Sequence, residues 1–407
     1  MAVYLDREHF IPLAVDELVE FLAAGTGAKA DPAPLPTSDA AAFRKFADWL
    51  AAHYHREFLD RMRGLKAAYA AFDPDSDTPP LVPLTADAQA TALARLYAEV
   101  RNLLVKANYK ELPRLEAMKA MQGHSFWGLE MDVVWEVFEH IEIYYRGDTV
   151  GIRTLRRWWK LWRKEEKVVP EFNRLVLVLK QQPHQRLGRN ADTKSVYLKM
   201  FKDMPKTDLE MVLPGTRVKL SRYDKGMIVY PLASGLAVIL YKILADVIGF
   251  TDVLSLTVSV SLSWSLAAAF AGYGYKSYLS YTNKKTAYTL RLTQSLYYQN
   301  IDSNAGVFFR LVDEAEDQES REALLAYYWL WQRAGDRPMT AAALDDAIEQ
   351  DLERRLGINV DFESGDALDK LERLNIVRKE GDGYAAVPMD RAMAAEAGGY
   401  PAKAGSS

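Results

Sequence analysis

At 407 residues the chain is too long for a single hydrophobic core, and an apolar share of 49% is enough to build two or three domains. The formal net charge is -4 with 26% charged residues, a balance that argues against a dedicated nucleic-acid binder, whose mark is a strong basic excess. Cysteine is absent, which removes disulfides, thiolate nucleophiles and thiolate metal sites together.

The opening MAVYLDREHFIPLAVDELVEFL lacks the basic flank, short apolar run and small-residue cleavage site of a secretory leader, so none is expected. Asp16 to Ala23 reads as a short amphipathic helix, followed by a Gly/Pro-rich break from Gly25 to Pro36. A long helix is expected to start after Thr37, Ser38 or Asp39 as cap and to reach about Phe72. Phe43, Phe46, Leu50, Tyr54, Phe58, Met62 and Leu65 are spaced for one of its faces. After the Pro- and Asp-rich linker Asp73 to Pro83, a second helix covers about Ala86 to Ala107. Residues 1–110 are thus a helical region.

Residues 111–225 change period. Glu139 to Tyr145, Arg174 to Lys180 and Ser195 to Lys202 are short runs rich in Val, Ile, Leu, Tyr and Phe, which predicts an α+β domain with a small sheet. Within it, Arg153 to Lys164 interleaves basic residues with tryptophans. Arg156, Arg157, Trp158, Trp159 and Trp162 form a candidate lipid-interface segment. The plainer reading is a connector whose indoles pack on the sheet while its charges stay solvated.

Residues 226–275 hold the longest apolar run, MIVYPLASGLAVILYKILADVIGF followed by TDVLSLTVSVSLSWSLAAAFAGYGY. Two passes of about 20 residues match the length at which a helix crosses about 30 Å of hydrocarbon, so a two-helix transmembrane hairpin is expected. In the second pass apolar residues alternate with Ser255, Thr257, Ser259, Ser261, Ser263 and Ser265, a period that a membrane-barrel strand would share. Helix is preferred, because a barrel needs many such strands to close its edges. Lys242 and Asp246, four apart, share a helix face and either line an ion path or snorkel near the helix end. Basic residues flank both passes, from Arg217 to Lys225 and from Lys276 to Arg291, so both large domains and both termini are expected in the cytoplasm. The expected location is a bacterial plasma (inner) membrane, or an organellar membrane in a eukaryote.

A helical connector occupies 276–312, with Asp302 or Ser303 expected to cap a helix through Phe308, Phe309 and Leu311. The run Asp313 to Glu319 is expected to be a solvated face rather than a metal site. Residues 313–393 read as helix, helix, helix, β-hairpin, a winged-helix-like domain, and 394–407 as a disordered tail. The third helix offers Glu363, Asp366, Asp369 and Glu372 against Lys370 and Arg373, which would repel phosphate, so a protein partner is preferred to DNA.

Chemistry is sparse. Gly188 to Ser195 departs from a phosphate loop at Thr193, and the next residues, SVYLKMF, look like a strand where that loop requires a helix start. His53 and His55 are two apart, a spacing that splits them between sides of a helix. No catalytic, cofactor-binding or metal-binding residues are assigned.

Val196 to Gly226 and Leu292 to Trp331 resemble the transmembrane protein 143 family, as do FEHIEIYYRGDTV and DREHFIPL. The resemblance implies a membrane protein with a central hydrophobic hairpin and eukaryotic relatives associated with mitochondria, and it brings no activity. The fold class expected is an α+β membrane protein. The functional expectation is an integral membrane protein acting as an oligomeric scaffold or regulatory module, the alternative being a pore or channel built from the hairpins. An enzyme is the least favoured reading. Expected partners are the lipid bilayer, further copies of the chain and a protein at the winged-helix-like domain, with no nucleic acid and no cofactor.

Overall fold

The apolar stripe from Phe43 to Leu65 folds as one face of α2 (Thr37–Tyr69), and every one of its seven members is buried. The structure, a computed structural model, describes residues 7–24, 35–78, 84–121, 130–156, 164–188, 191–219, 300–334 and 337–396, with shorter stretches between 230 and 299. Helix α1 (Val15–Ala24) and helix α3 (Ala86–Lys106) pack on α2. The Thr85 side chain caps α3 by accepting from the Ala88 N–H. In α2 the residue before the helix is Pro36, so Thr37, Ser38 and Asp39 lie inside the first turn instead of capping it.

A short strand β1 (Lys110–Glu111) leads to α4 (Arg114–Met121) and β2 (Glu130–Asp132). Then come the long strands β3 (Phe138–Arg156) and β4 (Lys164–Gln181), followed by β5 (Val196–Pro205), β6 (Arg217–Lys219) and β7 (Asn300–Ser303). They form an antiparallel sheet in the order β1, β3, β4, β5, β7, and β2 pairs with β6 apart from it. The two-residue period sorts the sheet's faces. Tyr144, Val176, Val178, Leu198 and Met200 join the helical core, whereas Ile143, Leu175, Leu177, Leu179 and Phe201 form a second core with Ala117 and Met121 of α4. All three expected strand segments lie within β3, β4 and β5, save for Ser195 at the edge of the third.

Strands β3 and β4 outrun the sheet. β4 meets β5 only from Glu171 onward, so the pairs from Val150 and Pro170 to Arg156 and Lys164 make a two-stranded ribbon. On it Ile152 faces Val168, and they are 69% and 63% exposed.

Asp302 and Ser303, the expected caps, lie in β7 instead. Asn304 precedes α5 (Ala305–Tyr328) with φ 52°, and its side chain accepts from the Leu198 N–H at 3.2 Å and donates to Asp75 at 2.6 Å. A π-helix, Trp329–Ala334, extends α5. Met339 then pairs with Tyr384, and α6 (Ala341–Leu356), α7 (Ser364–Arg373), β8 (Val377–Glu380) and β9 (Gly383–Ala386) follow, while the expected domain start at residue 313 falls inside α5. A further helix, α8 (Met389–Glu396), takes up Ala394, where a disordered tail is expected. Helix α5 is the axis of the molecule, because every residue from Gln318 to Tyr328 is buried and α1, α2, α3, α6 and α7 all pack on it.

The expectations of an integral membrane protein, of a transmembrane hairpin, of a pore and of a membrane location are corrected. Among the described residues no helix is long and apolar enough to cross a membrane. Helices α2, α3 and α5, at 33, 21 and 24 residues, have the length, but all three carry charged side chains along their course. Lys242, Asp246, Ser255, Thr257, Ser259, Ser261, Ser263 and Ser265 lie outside the described residues.

Candidate functional site

The charged run of α5 is only in part a solvated face. Asp313 is exposed and Asp317 pairs with Arg321 of the same helix, whereas Glu314, Glu316, Gln318 and Glu319 reach other elements. Glu314 turns to the sheet, where it accepts from the Tyr109 hydroxyl at 2.8 Å and lies 3.1 Å from Arg146. The buried Arg146 guanidinium sits 4.0 Å from the Phe10 ring centroid and 4.7 Å from that of Tyr109, and donates to the Ala107 carbonyl. Glu316 meets His55 Nδ1 of α2 at 3.0 Å. Gln318 holds the N-terminal segment, accepting from the Ile11 N–H and donating to the His9 carbonyl.

One turn on, Glu319 and Glu322 face α3 and α7. Glu319 lies 2.5 Å from Lys106 and 2.5 Å from Lys370, while Glu322 lies 3.2 Å from Lys370 and accepts from the Asn108 amide at 3.2 Å. Asp366, one turn before Lys370 on α7, is 2.5 Å from the same ammonium. Burial alone would lower the pKa of Lys370, yet Glu322 and Glu319 hold it above its ordinary value. Burial pushes Glu322 up, against the pull of Lys370. The buried Tyr54 hydroxyl nearby makes no hydrogen bond among the described residues, and burial pushes its pKa up.

Glu319, Glu322 and Asp366 bring carboxylate oxygens within 4.8 Å of one another, a donor set suited to a hard cation. The chain supplies that cation itself. An ammonium has three donors, and Lys370 reaches one carboxylate with each. A metal ion would have to displace it and then face Lys106 as well, so these residues do not fit a metal. The arrangement fastens three helices together.

A second constellation lies where α3 crosses β3. His140, Glu142 and Tyr144 alternate along β3 and so share a face. The His140 ring stacks on Tyr97 of α3 at 3.8 Å between centroids, and its Nε2 lies 3.2 Å from Glu142. Tyr144 donates to Glu142 at 2.8 Å, and Arg101 donates to both Glu142 and Tyr144. Burial would raise Glu142, but the nearby His140 and the hydrogen bonds from Tyr144 and Arg101 hold it down at about 2. The result is a permanent carboxylate that fixes α3 to the strand. The alternation within HIEIY is the sequence signal for it, legible as a strand before it is legible as a network.

Between α2 and α3 lies an open cleft of about 550 Å³. Arg56, Arg61 and Arg95 face Glu57, Asp60 and Glu99 there, a balance that selects no ligand charge. His53 lines this cleft while His55 turns to Glu316, so the two histidines do not converge. In the loop that approximates a phosphate-binding motif, the Asp192 carboxylate accepts from the N–H groups of Lys194 and Ser195, and β5 comes next in place of a helix. Of the candidate lipid-interface residues, Arg156 closes β3 opposite Lys164, and Arg157, Trp158, Trp159 and Trp162 lie outside the described residues.

Helix α7 also has an outward face. Asp366, Asp369, Glu372 and Arg373 fall on one side of the helix and are exposed, while Ala367, Leu368, Lys370 and Leu371 are buried on the other. Lys370 is therefore inaccessible to an external partner.

A family model described as a protein of unknown function, DUF3754, matches residues 138–306. That stretch is less than half of the chain and runs from β3 to the first residues of α5, so the ionic cluster at Glu319, Glu322 and Lys370 lies beyond it. No solved structure matches the chain.

Proposed function

We propose that the chain is a protein-docking module, not an enzyme, and that its winged-helix-like unit receives a basic protein segment on the outward face of α7. The observation that carries this reading is the division of charge on α7. Two exposed carboxylates, Asp369 and Glu372, stand against Arg373, while Asp366, also exposed, is paired with the buried ammonium of Lys370. Nucleic-acid binding depends on cations that neutralise phosphate, and this face would repel it. Basic side chains are instead attracted and steered to the face, with a strength that falls as salt rises. Kinship with the transmembrane protein 143 family is also our proposal, on the likeness of Val196 to Gly226 and Leu292 to Trp331, and it supplies no activity.

The test is an equilibrium titration of the full chain against a fluorescent Lys- and Arg-rich peptide and, separately, a fluorescent DNA duplex. The reading expects peptide binding that falls with salt and is lost in Asp369→Lys/Glu372→Lys, and no binding of the duplex. Binding of the duplex at the same face, or peptide binding indifferent to the double reversal, contradicts it.

A further inference from the structure

We infer that the basic segment received on α7 is this chain's own connection between β3 and β4, supplied by a second copy. The inference rests on the docking reading of α7 and names its partner. The stretch from Arg153 to Lys164, RTLRRWWKLWRK, carries Arg153, Arg156, Arg157, Lys160, Arg163 and Lys164 with no acidic residue, in a chain whose net charge is -4. Its ends are fixed in the fold. Arg156 is the last residue of β3, Lys164 is the first of β4, and residues 157–163 between them lie outside the described residues. The ladder that leads to it continues past the point where β5 stops pairing with β4, so both strand ends lie beyond the five-stranded sheet, on the two-stranded ribbon.

Charge complementarity selects the occupant. A stretch, residues 153–164, whose charged residues are all basic, although Glu165 and Glu166 follow it, and a helix face on which Asp369 and Glu372 outnumber Arg373 attract each other across two molecules. Because each copy owns one ribbon and one α7, reciprocal exchange closes a two-fold dimer in which both pairs of surfaces are used. Exposed charge pairs are individually weak and are screened within about 8 Å at physiological salt, so the assembly is salt-sensitive.

The test is sedimentation of the full chain at about 50 mM and about 500 mM NaCl, a range that spans strong to weak attraction between exposed charges. The wild type is expected to be a dimer that dissociates at the higher salt. Asp369→Lys/Glu372→Lys and Arg156→Glu/Arg157→Glu are each expected to be folded by circular dichroism and monomeric. Combining all four substitutions restores the opposite charges and the dimer. Asp369 and Glu372 suit the reversal because both are exposed. In parallel, a labelled peptide copying residues 153–164 is titrated into the full chain, with about a tenfold weakening expected in the α7 double reversal. Peptide binding by a chain that stays monomeric at every concentration overturns the second-copy inference and leaves the docking reading standing. Failure of the peptide to bind overturns both. A dimer unaffected by either reversal overturns the inference by locating the interface elsewhere.

Discussion

Lys370 of α7 lies 2.5 Å from Glu319 of α5, and both side chains are buried. The pair joins α7 to α5, and Lys106 of α3 reaches the same carboxylate. Burying ions is costly, so such a group stabilises only when each charge is matched, and removing one member leaves the rest uncompensated. Its members are therefore expected to differ in what their neutralisation does.

Glu322 and Glu319 separate on that criterion. The pKa of Glu322 is raised by burial, so its charge becomes a growing burden on the fold as pH climbs above the unfolded value of about 4.3. Glutamine keeps the side-chain shape and a hydrogen-bonding group for Asn108 and Gln318. Glu322→Gln is expected to change stability at pH 7 by less than about 1 kcal/mol. Glu319→Gln leaves Lys106 without its carboxylate and Lys370 without one of its two nearest, and is expected to cost about 2–4 kcal/mol. Urea unfolding of the two variants, read side by side, checks the order.

Glu142 gives a pH signature of the opposite sign. Its folded pKa is depressed to about 2 despite the burial that opposes the shift, because His140 lies beside it and Tyr144 and Arg101 donate to it. A depressed carboxyl contributes stability that is in place above its unfolded value and is lost as pH falls through its folded value. The contribution is on the order of 2 kcal/mol at pH 7 and fades between about pH 4 and pH 2. Glu142→Gln is expected to be less stable than the wild type by that amount at neutral pH and to converge with it near pH 2, as measured by denaturation at stepped pH.

Phe46 tests the core that α2 shares with α5. Its ring is fully buried and stacks on Tyr327 at 4.1 Å between centroids, and Tyr327 in turn donates to the Val387 carbonyl at 2.7 Å. Phe46→Ala is expected to cost about 3–5 kcal/mol and Phe46→Leu less than half of that, read from the urea midpoint.

How much of the fold is legible in the sequence depends on how local each signal is. The stripe from Phe43 to Leu65 and the order of elements from Thr340 to Ala386 can be read because helix period, caps and a Gly-containing turn act over a few residues. The run from Asp313 to Glu319 reads as solvated because its partners, Arg146, Lys106 and Lys370, are distant in sequence, and spacing along one helix carries no trace of them. Strand β7 is hidden for a different reason. Four residues are too few to display alternation, and Asn304 ends the strand with φ 52°, a conformation that Asn accepts more readily than most residues. The apolar length that predicts a membrane hairpin falls where no described helix meets the requirement for crossing a bilayer. The charge on the outward face of α7 is legible, but the burial of Lys370 that makes that face so one-sided is not.

The claim that the buried carboxylates of α5 are the interior joint between α3, α5 and α7 is tested most directly by hydrogen exchange in Lys370→Met. Methionine matches the length of the lysine stem but leaves Glu319 and Glu322 buried without their shared cation. Local opening free energies reflect such contacts. The account predicts that amides of α7, and of α5 around Glu319 to Tyr328, exchange at least about tenfold faster than in the wild type, while those of β3 to β5 keep their protection. Unchanged protection in α7 would contradict it.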